Sequence, residues 1–337
     1  MTSLRQAAVF ALLAFAALSA GCAPIALRAD PQGGCAAEAV AEISRPASPD
    51  GLSGICRDGD GRYLAIDDTG GVLYLLELRF GARSRRLLSC SVAGKVALEG
   101  VVDGEDVAFD PLRGTVWACD EDAPSIAEFD RTTGRRLREV ALPPHFSRMR
   151  RYYGVESLCI SPDGLSMWSS TEEAVDGDGP LSSCTNGTMV RLQQFVRDGA
   201  GGEWRAARQC PYLTDPIGGT FVRMSRSGVV GLLARGDGTL LVLERELGAK
   251  TFVPTFRTRL YAVDPRNAAD VSGTERLSGA AVRPVEKRLV FGANTHFAMY
   301  EGIAVGPVLP DGRETVVLVS DGDGAATESM MHIALPR

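Results

Sequence analysis

Apolar positions along this chain come in short runs that repeat one phrase. A small or acidic residue with Gly or Ser leads an apolar run, a Gly-containing turn follows, and a β-rich run ends in acid. Leu52-Ser53-Gly54-Ile55 leads to Tyr63-Leu64-Ala65-Ile66-Asp67-Asp68, and Glu99-Gly100-Val101 leads to Val116-Trp117-Ala118-Cys119-Asp120-Glu121. Val155-Glu156-Ser157-Leu158 leads to Met167-Trp168-Ser169-Ser170-Thr171-Glu172. Gly238-Thr239 opens Leu240-Leu241-Val242-Leu243-Glu244-Arg245, and Glu301-Gly302-Ile303 leads to Val316-Val317-Leu318-Val319-Ser320-Asp321. Units spaced by roughly 45–60 residues predict a radial or solenoid array, in which equivalent strand ends meet in space.

Between these runs lie further β-branched or aromatic stretches bounded by Gly, Asp and Asn turns, as in Val72–Leu78 after Thr69-Gly70-Gly71. Ile126–Asp130 followed by Thr133-Gly134-Arg135 has the strand, Asp, x-x-x-Gly, strand form. No amphipathic helix of twelve residues or more stands out after the N-terminal segment. Each unit therefore reads as four antiparallel strands: one inner, a second ending in acid, and two outer. Such a unit cannot bury both faces alone, and stacking units about an axis buries them and protects their edges. The expectation is an all-β propeller. At about 50 residues per blade it has about six blades, with five to seven compatible. A weak unit over about 266–296, with Val285–Phe291 as its clearest strand, lacks the acidic ending.

The N-terminus is a different kind of segment. Arg5 precedes an apolar stretch at residues 7–18, short for a membrane span. Ser19-Ala20-Gly21-Cys22 follows and resembles the lipobox of bacterial lipoproteins, with Leu18 one place early; there, Cys22 would be acylated after cleavage. Residues 1–22 are expected to be an export signal, 23–50 a tether and first strand, and 51–337 the propeller. The protein is then expected in the periplasm or on the outer membrane, held by lipid on Cys22, with plain secretion as the alternative. Net charge is −6, which argues against a nucleic-acid partner. Eight cysteines in an exported chain make disulfides plausible, with Cys184 and Cys210 the best pair.

The same residues resemble the esterase-like activity of phytase family, the phytase-like proteins. The resemblance runs over about residues 50–335. It is carried by Leu52-Ser53-Gly54-Ile55 with Asp67-Asp68, Glu99-Gly100-Val101 with Glu121, and Leu142-Pro143 before Tyr153-Gly154-Val155-Glu156-Ser157-Leu158. Ser161-Pro162-Asp163-Gly164 with Thr171-Glu172, Leu241–Arg245, Lys287, Glu301–Pro307, and Asp311-Gly312-Arg313 with Ser320-Asp321 complete it. Tyr153, Ala298-Met299-Tyr300 and Gly322-Asp323 stand where the family often has Asn. The resemblance implies ester or phosphoester hydrolysis without fixing a substrate.

Several carboxylates converging on one channel mouth cannot all stay ionised without a counter-charge. A hard divalent cation supplies it, and Ca²⁺ tolerates irregular oxygen ligation. The candidate ligands are Asp67, Asp68, Glu99, Glu121, Glu156, Glu172, Glu244, Glu301 and Asp321, with Glu156, Glu301, Arg245 and Lys287 the candidate catalytic groups. A bound ion would polarise the scissile group and activate water, and Arg245 and Lys287 would draw a small anionic or ester substrate. The competing reading is that these carboxylates hold neighbouring blades together, in a propeller that binds a ligand or protein without turnover. A lactonase-like propeller is a third possibility. There is no G-x-S-x-G elbow or H-E-x-x-H, and the three histidines, His145, His296 and His332, are far apart. Asp-Gly-Asp-Gly runs at 58–61 and 176–179 read as tight turns; the third, at 321–324, follows a repeat-ending acid. Trp117 and Trp168 read as blade core, and residues 148–153 form one basic-aromatic loop.

Overall fold

The structure is a computed structural model that describes residues 28–29, 37–42, 51–218, 225–250, 253–295, 298–321 and 328–337. The proposed signal segment with Cys22, His296 and most of the third Asp-Gly-Asp-Gly run lie outside the described residues.

Two N-terminal strands, β1 (Arg28–Ala29) and β2 (Ala37–Glu42), precede five antiparallel sheets. The first blade holds β3 (Leu52–Arg57), β4 (Tyr63–Asp67), β5 (Val72–Phe80) and β6 (Leu87–Ala97) from axis to rim. The second holds β7 (Gly104–Phe109), β8 (Val116–Asp120), β9 (Ser125–Phe129) and β10 (Arg136–Glu139). The third holds β11 (Val155–Ile160), β12 (Ser166–Thr171), β13 (Met189–Val196) and β14 (Arg205–Leu213). The fourth holds β15 (Arg226–Ala234), β16 (Leu240–Lys250), β17 (Val253–Val263) and β18 (Lys287–Thr295), with β1 on its outer edge. The fifth holds β19 (Met299–Val305), β20 (Thr315–Asp321) and β21 (Ser329–Ala334), with β2 as its outermost strand. The inner strands pack side by side in order, and β19 returns to β3, so the ring closes. Among the described residues the helices are two short 3₁₀ turns, and none is long and apolar enough to cross a membrane.

Burial follows position in the blade. Strands near the axis are covered on both faces, so β4, β8 and β20 are buried at every residue and lack two-residue alternation. Rim strands such as β10 alternate between partly buried and exposed. The apolar core is accordingly divided into layers between blades. Ile66, Val107 and Val116 join the first two, Trp117 and Met167 the next, and Trp168, Leu192 and Val242 the third interface. Leu243, Tyr300 and Leu318 fill the fourth, and Leu52, Tyr63 and Met330 the closing one. Trp117 and Trp168 are both buried in these layers.

The ring has five blades, not six. Dividing length by a typical blade overcounts because the fourth blade carries two 11-residue strands and a long connector. That connector lies against the third blade: Val271 N donates to Gln209 O, Ser278 N to Gly177 O and Val285 N to Pro211 O. The apolar run at its end is the fourth strand of the preceding blade, so 266–296 is not a separate unit. The expected Cys184–Cys210 bridge does not form. Cys210 is a buried thiol 3.6 Å from the Pro265 carbonyl.

Candidate functional site

The inner strands do more than line the channel. Each has a register shift against its second strand at the same place: after Leu52, Gly104, Val155, Val229 and Tyr300. A bulge leaves a residue outside the ladder and re-aims its side chain. The residues so released are Ser53, Glu105 with Asp106, Glu156, Val230 and Glu301. Glu105, Glu156 and Glu301 border one cavity of about 550 Å³ at this end of the channel, and Ser53 joins them.

A second ring comes from the second strands. The residues paired just before each bulge are Asp67, Asp120, Thr171, Glu244 and Ser320. The next residues are Asp68, Glu121, Glu172, Arg245 and Asp321, and all five border the cavity. Successive strand residues point to opposite faces, so a one-residue offset separates cavity from turn. Asp67 accepts from Val72 N (2.8 Å) and the Tyr74 hydroxyl (3.2 Å), and Asp120 accepts from Val102 N and Ala123 N. They hold turns.

The charges are unequal. Asp103, Glu105 and Glu121 each offer an oxygen within 4.8 Å of the others'. Burial, then Glu156, Glu121, Asp103 and Glu301, push the Glu105 carboxyl well above the usual range. Glu121 is pushed up to about 7 by burial, against the pull of the Gly154 N–H (2.6 Å). Asp103 is raised to about 6 by burial and by Asp120 and Asp122. Glu156 is likewise raised well above the usual range, by burial and then Glu172, Glu121 and Glu301. Gly154 is required where it is, because a Cβ there would lie 2.5 Å from Glu121 Cγ.

Arg245 answers this charge on one side only. Its Nη2 lies 3.0 Å from Glu172 and 3.8 Å from Glu156. Its Nε is 2.9 Å from Glu301, within ion-pair reach though off the line of a hydrogen bond. Gly228, its partner on the inner strand, leaves room for Glu172, because a Cβ there would lie 2.5 Å from Glu172 Cγ. Arg226 lies 3.8 Å from Glu172. Met149, Arg150, Arg151 and Tyr152, from the basic-aromatic loop, form the rim.

Other expected residues lie elsewhere. Glu99 is exposed and accepts from Arg136 N (3.1 Å), so it does not belong to the ring; Glu105 does. The signal for Glu105 was Gly104-Glu105-Asp106-Val107, parallel to Gly154-Val155-Glu156-Ser157 and followed by Asp110-Pro111 as the latter is by Ser161-Pro162. Asp103 sits in the preceding loop and carries no repeat signal. Glu244 and Lys287 are also outside the cavity. Glu244 is buried under the Tyr212 hydroxyl (2.6 Å) and Lys287 Nζ (2.6 Å), and Lys287 also reaches Asp215 (2.7 Å) and lies over the Tyr261 ring. With Arg259, 3.4 Å from Glu244 and 3.6 Å from Asp215, the cluster is balanced and joins the third and fourth blades. His145 is buried beside Gln209, its imidazole lowered to about 4 by burial and Arg191, and His332 packs on Phe80; neither borders the cavity. Asp58 closes its Asp-Gly-Asp-Gly turn by accepting from Asp60 N and Arg62 N, and Asp178 accepts from Arg191. The opposite channel mouth is an apolar cavity of about 430 Å³, lined in part by Ile55, Val107, Leu158, Leu232 and Ile303.

The sequence model of the phytase-like family, described as esterase-like activity of phytase, matches residues 49–324. No curated protein matches the chain. Among solved structures it is similar to Kuenenia stuttgartiensis hydrazine synthase, at 16% identity and a TM-score of 0.36, covering 82% of this chain and 57% of that one. It is also similar to MPT-4, a mannose phosphorylase from Leishmania mexicana, at 12% identity and a TM-score of 0.39, covering 88% of each. A nidogen/laminin complex matches at 12% identity and a TM-score of 0.38, over 82% of this chain and 76% of that one.

Proposed function

The chain belongs to the phytase-like family, and from that membership and the cavity's charge we propose a divalent-cation-dependent hydrolase of an ester or phosphoester. The observation that carries the reading is the trio Asp103, Glu105 and Glu121, three carboxyls held together with their oxygens within 4.8 Å. Oxygen donors of this kind suit a hard cation, and irregular loop ligation suits Ca²⁺. When bound, the ion supplies Lewis acidity to a phosphoryl or carbonyl oxygen and lowers the pKa of water. Arg245 orients the negative end of the substrate. Glu156, whose carboxyl is raised well above the usual range by burial and then Glu172, Glu121 and Glu301, is placed to donate a proton to the leaving oxygen. Glu301 and Glu172 hold the Arg245 guanidinium in place.

The test is hydrolysis of aryl phosphates, phytate, aryl acetates and lactones by the purified chain in Ca²⁺ or in EDTA, with thermal stability followed in parallel. Turnover that needs the metal supports the proposal. Stabilisation without turnover points to a non-enzymatic binding propeller. We further propose export with lipid on Cys22. Acyl labelling of the wild type that survives Cys22→Ala would refute the anchor.

A further inference from the structure

The second ring repeats one chemical choice in four blades and breaks it in the other. At equivalent register positions stand Asp68, Glu121, Glu172 and Asp321, and in the fourth blade Arg245. The inner ring carries an acid in three blades, with Ser53 in the first and Val230, buried in the apolar layer, in the fourth. One blade thus contributes a cation and no carboxylate. Its guanidinium is turned toward Glu156, Glu172 and Glu301, while Asp103, Glu105 and Glu121 have no ion pair among the described residues.

A second observation points to a ligand. Arg245 is buried, 3% exposed, and borders the cavity, yet its Nη1 has no hydrogen-bond partner. A buried charged donor left unpaired carries a desolvation penalty. An oxyanion lying between the guanidinium and an ion on the acidic trio would remove that penalty and satisfy the ion as well.

We propose that Arg245 is a built-in cation standing in for a second metal, so that the cavity takes a single divalent ion on Asp103, Glu105 and Glu121, with an oxyanion bridging that ion and Arg245. This rests on the metal-site reading above and deepens it. Coulomb repulsion favours it: an ion placed among Glu156, Glu172 and Glu301 would face Arg245 at close range.

Calorimetric titration of the full chain with Ca²⁺ alone tests the count. The expected stoichiometry is one for wild type, one for Arg245→Lys, two for Arg245→Met and none for Glu105→Gln. Inorganic phosphate is expected to tighten Ca²⁺ binding at least severalfold in wild type and to leave Arg245→Met unchanged. Two ions in wild type, or one in Arg245→Met, would overturn the inference while leaving the metal site standing. No binding by wild type would instead remove the metal-site reading itself. Should Arg245→Met fail to fold, Glu105→Gln still decides, because an ion retained there places the site in the other half of the ring.

Discussion

Replacing Glu121 by Gln should stabilise the metal-free protein, against the usual expectation for a site residue. The folded carboxyl titrates at about 7 against an ordinary 4.5, raised by burial. A group raised in this way contributes stability that is intact below the unfolded value and lost as pH rises through the folded one. Between about pH 4.5 and 7, wild type therefore loses up to about 3 kcal/mol at this residue, at about 1.36 kcal/mol per pH unit. Glutamine keeps an oxygen for the Gly154 N–H and never ionises. In EDTA at pH 8 the variant should be the more stable by up to about 3 kcal/mol, or roughly 6–12 °C in Tm at 2–4 °C per kcal/mol. At pH 4.5 the two should coincide. Ca²⁺ at a thousandfold excess over Kd reverses the order, because wild type gains about 4.1 kcal/mol there and the variant, short of one ligand, gains much less. Thermal and urea melts at both pH values, with EDTA and with Ca²⁺, give all four numbers. A variant less stable than wild type at pH 8 in EDTA, or one with an undiminished Ca²⁺ gain, would refute the reasoning.

Three further outcomes follow from the same geometry. Gly154→Ala should weaken Ca²⁺ binding at least tenfold in a calorimetric titration, because its Cβ displaces Glu121 from 2.5 Å away. Glu244→Ala should cost about 3–5 kcal/mol in urea unfolding, as expected when one partner of a buried ion pair is removed, and should leave the Ca²⁺ stoichiometry unchanged. Glu99→Ala should change neither the melt nor the titration by more than about 0.5 kcal/mol, as for exposed positions generally.

Much of the architecture was legible because it is written in periodicity. The apolar run, turn and acid phrase marks the first and second strands of three blades and the second strand of the other two, and the all-β propeller follows from it. Blade count was less legible, since Val285–Phe291 looks like a new unit to a reader of spacing, and only pairing with β17 makes it an outer strand. The ring residues divide by parity. Glu121, Glu172, Arg245 and Asp321 fall on the cavity face, while Asp67 and Glu244, one place earlier in their strands, fall on the other. Sequence gives the acidic pair but not the bulge that decides which member turns inward. Glu105 was hidden by the nearby Glu99-Gly100, which imitates Glu301-Gly302, although the Gly104-Glu105 motif lay five residues on. Asp103 is brought in by a loop and has no counterpart to compare. Lys287, apparently isolated in sequence, finds Glu244 and Asp215 only through the pairing of distant strands.

The central claim is that one acidic corner of this cavity is a cation site. Anomalous diffraction from crystals grown with Mn²⁺ or Ca²⁺ tests it most directly. The account predicts one strong peak among the carboxylates of Asp103, Glu105 and Glu121, lost in Glu105→Gln. Empty density there in metal-saturated crystals, or an ion seated among Glu156, Glu172 and Glu301, would contradict it.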